Sequence, residues 1–467
     1  MSAVYRVMMA TMLLCLAACS SGSHSNSAPA PTARFQVVHA SPDAPRINVL
    51  IDGALWASNL DYGDGLGEIT FPAGSHTVTI QANTPAGPVT VLGPTDSTFV
   101  ADTDYVIMVE GDTASLSSVV FPHVLSVVAS TQTRVQFLNA IPCVECVADI
   151  YLTAPNADLA TSTPFGGGSV SYQAGLGPID VLAGAYQIRL TPTGQKTPVI
   201  FDSGSITLVG GADLVITALQ NTVPGSSEVV LTAVDAWGNN GRLYDINTPA
   251  NVRFVHDAAN VSALDIAATV SSVTTPVATG LSFGAATDYV PLTPGDYSFA
   301  FTPTGGGTPL GTQALSLWAG QERTLYALGT LAGFVTEATW DNRRRLATAA
   351  KLRIVDGSPT SGPIDIYLTA QGAGVASATP WYSGVVFEDF TALQQIAAGA
   401  YDLTVTSAGT KTVVLGPVPL TVSNFGIYTV VIKDNVGGGA PLGTVLLDDF
   451  ESCGYGSPPR LIHALVC

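Results

Sequence analysis

Four near-copies of one short stretch constrain this chain more than any other feature. "RFQVVHA", Arg34 to Ala40, returns as "RVQFLNA" from Arg134, "NVRFVHD" from Asn251 and "KLRIVDG" from Lys351. Each copy ends on or near a polar residue, His39, Asn139, His256 or Asp356, and these are spaced by 100, 117 and 100 residues, each a domain's length. About ten residues further on, a second strand-like run recurs as "INVLI", "ADIYL", "LDIAA" and "IDIYL", placing Asn48, Asp149, Asp265 and Asp365 in register. A third sign is a small residue or Pro and then Gly before alternating apolar residues, with Gly74, Gly184, Gly295 and Gly399 at the turn. A period this regular means one supersecondary unit used four times.

The unit reads as all-β. Turn signals come about every ten residues, and period-2 alternation such as "HTVTI" marks strands with one buried face. With 47 Gly, 30 Pro and only 11% charged residues, the chain has little helix-forming surface. The expected fold is a set of tandem immunoglobulin-like antiparallel β-sandwich modules at residues 33–128, 131–235, 249–340 and 349–447, followed by a tail at 448–467. Closed barrels are the other arrangement open to such strands. Gly before each alternating strand predicts a positive-φ turn. The polar residue of the second run is expected to bond a neighbouring backbone group, and His39 and its counterparts the turn that follows them. Trp237–Pro249 reads as the longer linker, and Asp341–Ala350, with Arg343–Arg345, as a solvated connector.

The first residues read as an address. Arg6 and the amino terminus precede an apolar run of about ten residues, half the length that spans a bilayer. The run ends in "LAAC", which resembles the lipobox of bacterial lipoproteins, so residues 1–18 are expected to be a signal peptide and Cys19 the lipidated residue. Ser20 after it fits outer-membrane sorting. Residues 19–33, rich in Ser and Pro, form a flexible tether.

The opening "RFQVVHASPDAPRINVLIDG", Arg34 to Gly53, then an aromatic–Gly loop at Tyr62–Gly63 and the small-Gly turn, resembles the bacterial surface domain of unknown function family 4397. The loop equivalents in the next two modules are read as Phe165–Gly166 and Phe283–Gly284, and the fourth has Tyr382 followed by Ser383. The resemblance implies a cell-envelope β-sandwich and brings no catalytic residues with it.

Chemistry is sparse in this sequence. None of the common hydrolase, zinc-protease, nucleotide-loop or EF-hand patterns occurs. Asp61, Asp64 and Glu68 in "DYGDGLGE" are the best candidates for a hard cation such as calcium, but the third module lacks them at the aligned positions, so no metal or other cofactor is expected. Trp56, Trp318 and Trp381 are candidate sugar platforms or core residues. Cys143 and Cys146 are expected to form a local structural disulfide, whereas Cys453 and Cys467 have no assigned role. A formal net charge of -18 disfavours nucleic acid. The expected function is non-enzymatic: a lipid-anchored envelope protein, outer-membrane in location, whose membrane contact is its N-terminal lipid and whose modules act as spacers or bind a protein or glycan. The alternative is an envelope enzyme that uses scattered carboxylates on carbohydrate.

Overall fold

The computed structural model describes residues 30–142, 147–225 and 227–449. Cys19, Cys143, Cys146 and the tail from residue 450 lie outside them. Module 1 shows why the repeat folds as it does. Its strands are β1 (Thr32–Ala40), β2 (Ile47–Ile51), β3 (Ala54–Leu60), β4 (Gly65–Pro72), β5 (Gly74–Thr84), β6 (Gly87–Phe99), β7 (Thr103–Glu110) and β8 (Ser117–Val124). They form two four-stranded sheets, ordered β4-β1-β7-β8 and β3-β2-β5-β6. Phe35, Phe71 and Phe99 pack edge-on between the sheets with Val37, Val49, Ile80 and Ile107. Neither sheet closes on the other, so the unit is a sandwich and not a barrel.

The same order recurs three times. Module 2 pairs the strands Gln132–Asn139 and Asp213–Gln220 in its first sheet, module 3 pairs Ala250–His256 with Glu322–Thr330, and module 4 pairs Ala350–Asp356 with Ile427–Lys433. One feature departs from an antiparallel sandwich. In every module the first strand runs parallel to the seventh, as in Val37 opposite Ile107, so each first sheet is mixed. Among the described residues there is no α-helix, only three single 3₁₀ turns.

The four sandwiches are joined in pairs. The outer face of the β1–β7 sheet carries Val38, Ala40, Val106 and Met108, which pack against Leu138, Val215, Val230 and Val234 of module 2. In modules 3 and 4, Val255, Tyr326 and Leu328 meet Val355, Val431 and Leu447 in the same way. The first strand of each module is therefore buried on both faces, although its sequence alternates: the interleaved polar residues Gln36, Gln136, Arg253 and Arg353 are buried along with the apolar ones.

The segments read as connectors take part in this packing. Asn240–Leu243 is a ninth strand of module 2, paired with Val229–Asp235. Its Asn240 reaches back to Gly65 of module 1, accepting from N at 2.6 Å and donating to O at 3.1 Å.

Candidate functional site

The repeated polar positions are used up by backbone. His39 and His256 each accept the N–H two residues on through Nδ1, from Ser41 and Ala258 at 3.3 Å, and point Nε2 at the carbonyls of Pro45 and Ser262. Asn139 and Asp356 accept from Ile141 and Ser358 in the same manner. Burial, reinforced by the nearby Arg344 charge, holds His39 down at about 3, so the ring stays neutral. In the second strands Asp149 takes the Gly194 N–H, Asp265 the Gly280 N–H and Asp365 those of Gly384 and Gly409, which ties the turns at Gly194 and Gly409 and the neighbouring strands at Gly280 and Gly384 to the second strand. Both sets behave as the sequence suggests. The turn glycines divide: Gly74 and Gly184 have φ of +145° and +153°, whereas Gly295 and Gly399 have no such φ, so only two of the four need glycine on that account.

The loop from Asp61 to Glu68 brings no three ligands together. Asp61 is held by Arg46 at 3.2 Å and by Arg344, and Glu68 pairs with Arg34. Burial works against ionising Asp61, but Arg344, the Tyr62 N–H and Arg46 together bring it down to about 2. Glu68 is pushed upward by burial and by Asp104. Among the described residues no cluster of three His, Cys, Asp or Glu is arranged to hold a metal.

An aromatic residue followed by a positive-φ residue carries each doublet. Gly63 N donates to His39 O and Gly284 N to His256 O, with φ of +77° and +74°. The residues that make the same bond in modules 2 and 4 are Gln173 and Glu388, at φ +63° and +73°. The true equivalents of Tyr62–Gly63 are thus Tyr172–Gln173 and Phe387–Glu388. Phe165–Gly166 and Tyr382–Ser383, expected from the sequence, lie elsewhere. These aromatics reach into the partner sandwich: Tyr62 donates to Gln220 O at 2.7 Å, Tyr172 bonds Glu110, and Lys433 sits 4.3 Å over Phe283. Two central arginines repeat the pseudo-twofold pattern. Arg253 binds Asp449 at 2.7 Å, and Arg353 binds Asp341 at 2.8 Å, each acid following the last strand of the other module.

The two doublets meet at an arginine clamp. Arg344, 7% exposed, donates to the carbonyls of Pro42 and Ala44 and to Asp61, while Arg343 holds Glu322 and Arg345 the Asp449 carbonyl. The expectation of a solvated connector fails because each guanidinium finds carbonyls or a carboxylate that would otherwise lose their water. A cavity of about 210 Å³ lies here, lined by Asp61 and Asp64 from module 1, Arg242 and Tyr244 from module 2, Glu322 from module 3 and Asn342 from the connector. Beside it Lys351 is buried, and desolvation with the Arg344 charge lowers it to about 7. A shallower groove of about 530 Å³ runs between modules 3 and 4, with Trp340 and Phe390 at its sides and the Asp341–Arg353 pair in it. Of the tryptophans expected as platform or core, Trp56 packs on Phe35 and Phe71, Trp381 on Tyr382, and Trp318 is exposed.

Residues 33–148, 250–367 and 350–456 match the domain of unknown function DUF4397. The chain belongs to the DUF4397 family. Most of module 2 lies outside the matched segments, yet it has the strand order of the DUF4397 segments on either side. No curated protein matches the chain. Solved structures similar to this DUF4397 chain include the Bacillus anthracis TIE protein, at 11% identity and a TM-score of 0.15 over 87% of this chain and 69% of that one. Another is a Bacteroides fragilis protein given provisionally as a cell adhesion protein, at 14% identity and a TM-score of 0.14 over 66% and 97%. Likenesses this slight carry no argument.

Proposed function

We propose that this protein is a non-enzymatic, lipid-anchored component of the bacterial cell envelope, outer-membrane in location, whose sandwiches form a stiff scaffold that binds a protein or glycan. The observation that carries the reading is the state of the charges where the modules meet. Asp61, Glu322, Asp341 and Asp449 are each engaged by an arginine of another segment, so these carboxylates act as joints between sandwiches. A glycosidase needs a proton donor and a second carboxylate free to face a sugar. What the scaffold offers to partners is its second sheets, whose strands such as Gly87–Phe99 and Val273–Leu281 keep one face largely exposed, and the groove beside Trp340.

The test uses the soluble chain from residue 30 onward on arrays of envelope glycans and in pull-downs from envelope extracts, with a parallel assay for polysaccharide cleavage. Saturable retention of one partner without cleavage is expected. Turnover of a polysaccharide would replace this reading by the carbohydrate-active alternative. Changing Cys19 to Ser in the full chain tests the anchor separately: release from membranes is expected, and retention after a high-salt wash would refute it.

A further inference from the structure

Lys351 stands apart from the other basic residues that open the repeated first strand. Its counterparts Arg34 and Arg134 each lie between two carboxylates, Glu68 and Asp104 in one case, Asp180 and Asp213 in the other. Lys351 is 6% exposed and faces an amide instead. Its Nζ is 3.0 Å from Oδ1 and 3.2 Å from the backbone O of Asn342, at the end of the connector between modules 3 and 4. The same Oδ1 accepts the Arg344 backbone N–H at 3.0 Å, which leaves one fixed donor on that oxygen when Nζ turns from it to the carbonyl carbon.

We infer that Lys351 and Asn342 are the partners of an intramolecular isopeptide bond that covalently closes the connector between the third and fourth sandwiches. Desolvation and Arg344 favour the neutral amine, with Asp61 and Glu322 opposing and Arg46 assisting Arg344, so a substantial fraction of the amine is nucleophilic near neutral pH. Nζ attacks Cγ of Asn342, and the oxyanion that forms is held by the Arg344 N–H. The Nζ–Cγ bond forms and the Cγ–Nδ2 bond breaks. One proton leaves Nζ for Nδ2, which departs as ammonia, and the other stays on the new amide. The step needs no oxidant or cofactor.

Intact mass spectrometry of the purified chain from residue 30 onward decides the matter. The expected mass is lower than that of the sequence by one ammonia. Trypsin should then release the peptide 324–343, which holds Asn342, joined as one branched species to 346–353, which holds an uncleaved Lys351. Lys351→Arg and Asn342→Ala should each restore the unmodified mass. An unmodified mass in the mature wild-type protein overturns the inference. So does an ammonia loss confined to the linear 324–343 peptide, which is cyclisation of Asn342 on its own backbone.

Discussion

At the scale of single residues, the charges that matter are the ones placed where water cannot reach them. Arg344 bonds two carbonyls and a carboxylate of module 1 across about three hundred residues of sequence. Arg344→Met is expected to destabilise the protein by about 3 kcal/mol, because Asp61 loses a buried partner and two carbonyls lose their donor; thermal melting checks it. Asp257 presents the opposite case. It is 1% exposed, neither carboxylate oxygen has a hydrogen-bond partner, and burial raises it well above the usual range despite Lys433, with Asp434 and Asp356 adding to the rise. The folded state therefore keeps a proton that the unfolded chain releases, and stability falls as pH climbs from the ordinary carboxylate range towards the raised value. Asp257→Asn should raise the melting temperature, by more at pH 7 than at pH 4, on the order of 1–3 kcal/mol. An equal gain at both pH values would show that ionisation is not the cause. None of this was visible in the sequence. Three consecutive arginines look the same in solvent and in a clamp, and a lone Asp after a strand carries no sign of what lies across from it.

At the scale of strands and turns, the repeat was legible wherever local geometry demands a particular residue. The strand-end polar residues and the second-strand aspartates could be read because each bonds a neighbour close in its own module. The aromatic loop could be read only where glycine marks it. Gln173 and Glu388 adopt the same positive φ without being glycine, so a search for aromatic–Gly fixed on Phe165–Gly166 and missed both. Gly63→Ala should cost about 1–2 kcal/mol through backbone strain and through the Arg242 guanidinium that the new Cβ would displace, while Glu388→Gly should stabilise by up to about 1 kcal/mol as strain is relieved. Chemical denaturation of the two variants measures both. A loss on Glu388→Gly would mean that its side chain contributes more than its backbone costs.

At the scale of the whole chain, the sandwich class followed from period and alternation, but the pairing of sandwiches did not. The first strands gave no sign of it, since Gln36, Gln136, Arg253 and Arg353 alternate with apolar residues as on a strand with one solvated face, and all four are buried. Read alone, they describe a strand; only the facing copy supplies the second buried side. A fragment of residues 30–248 should melt cooperatively. Residues 131–235 alone should melt at least ten degrees lower or self-associate, because Leu138, Val215, Val230 and Val234 would meet water. Monomeric single modules as stable as the doublet would show that the shared face contributes little.

The parallel pairing of first and seventh strands has a consequence for growth by duplication. The eighth strand runs back antiparallel to the seventh, so it finishes at the end of the sheet where the first begins: Asp104 lies opposite both Arg34 and His123 in module 1, and Arg323 opposite both Val252 and Trp340 in module 3. Entry and exit thus lie at the same end of every sandwich. A further copy joined at that end needs only a short joint to pack its first sheet on its neighbour's, as modules 1 and 2 and modules 3 and 4 do. Copy number in such a chain sets how much surface is on offer.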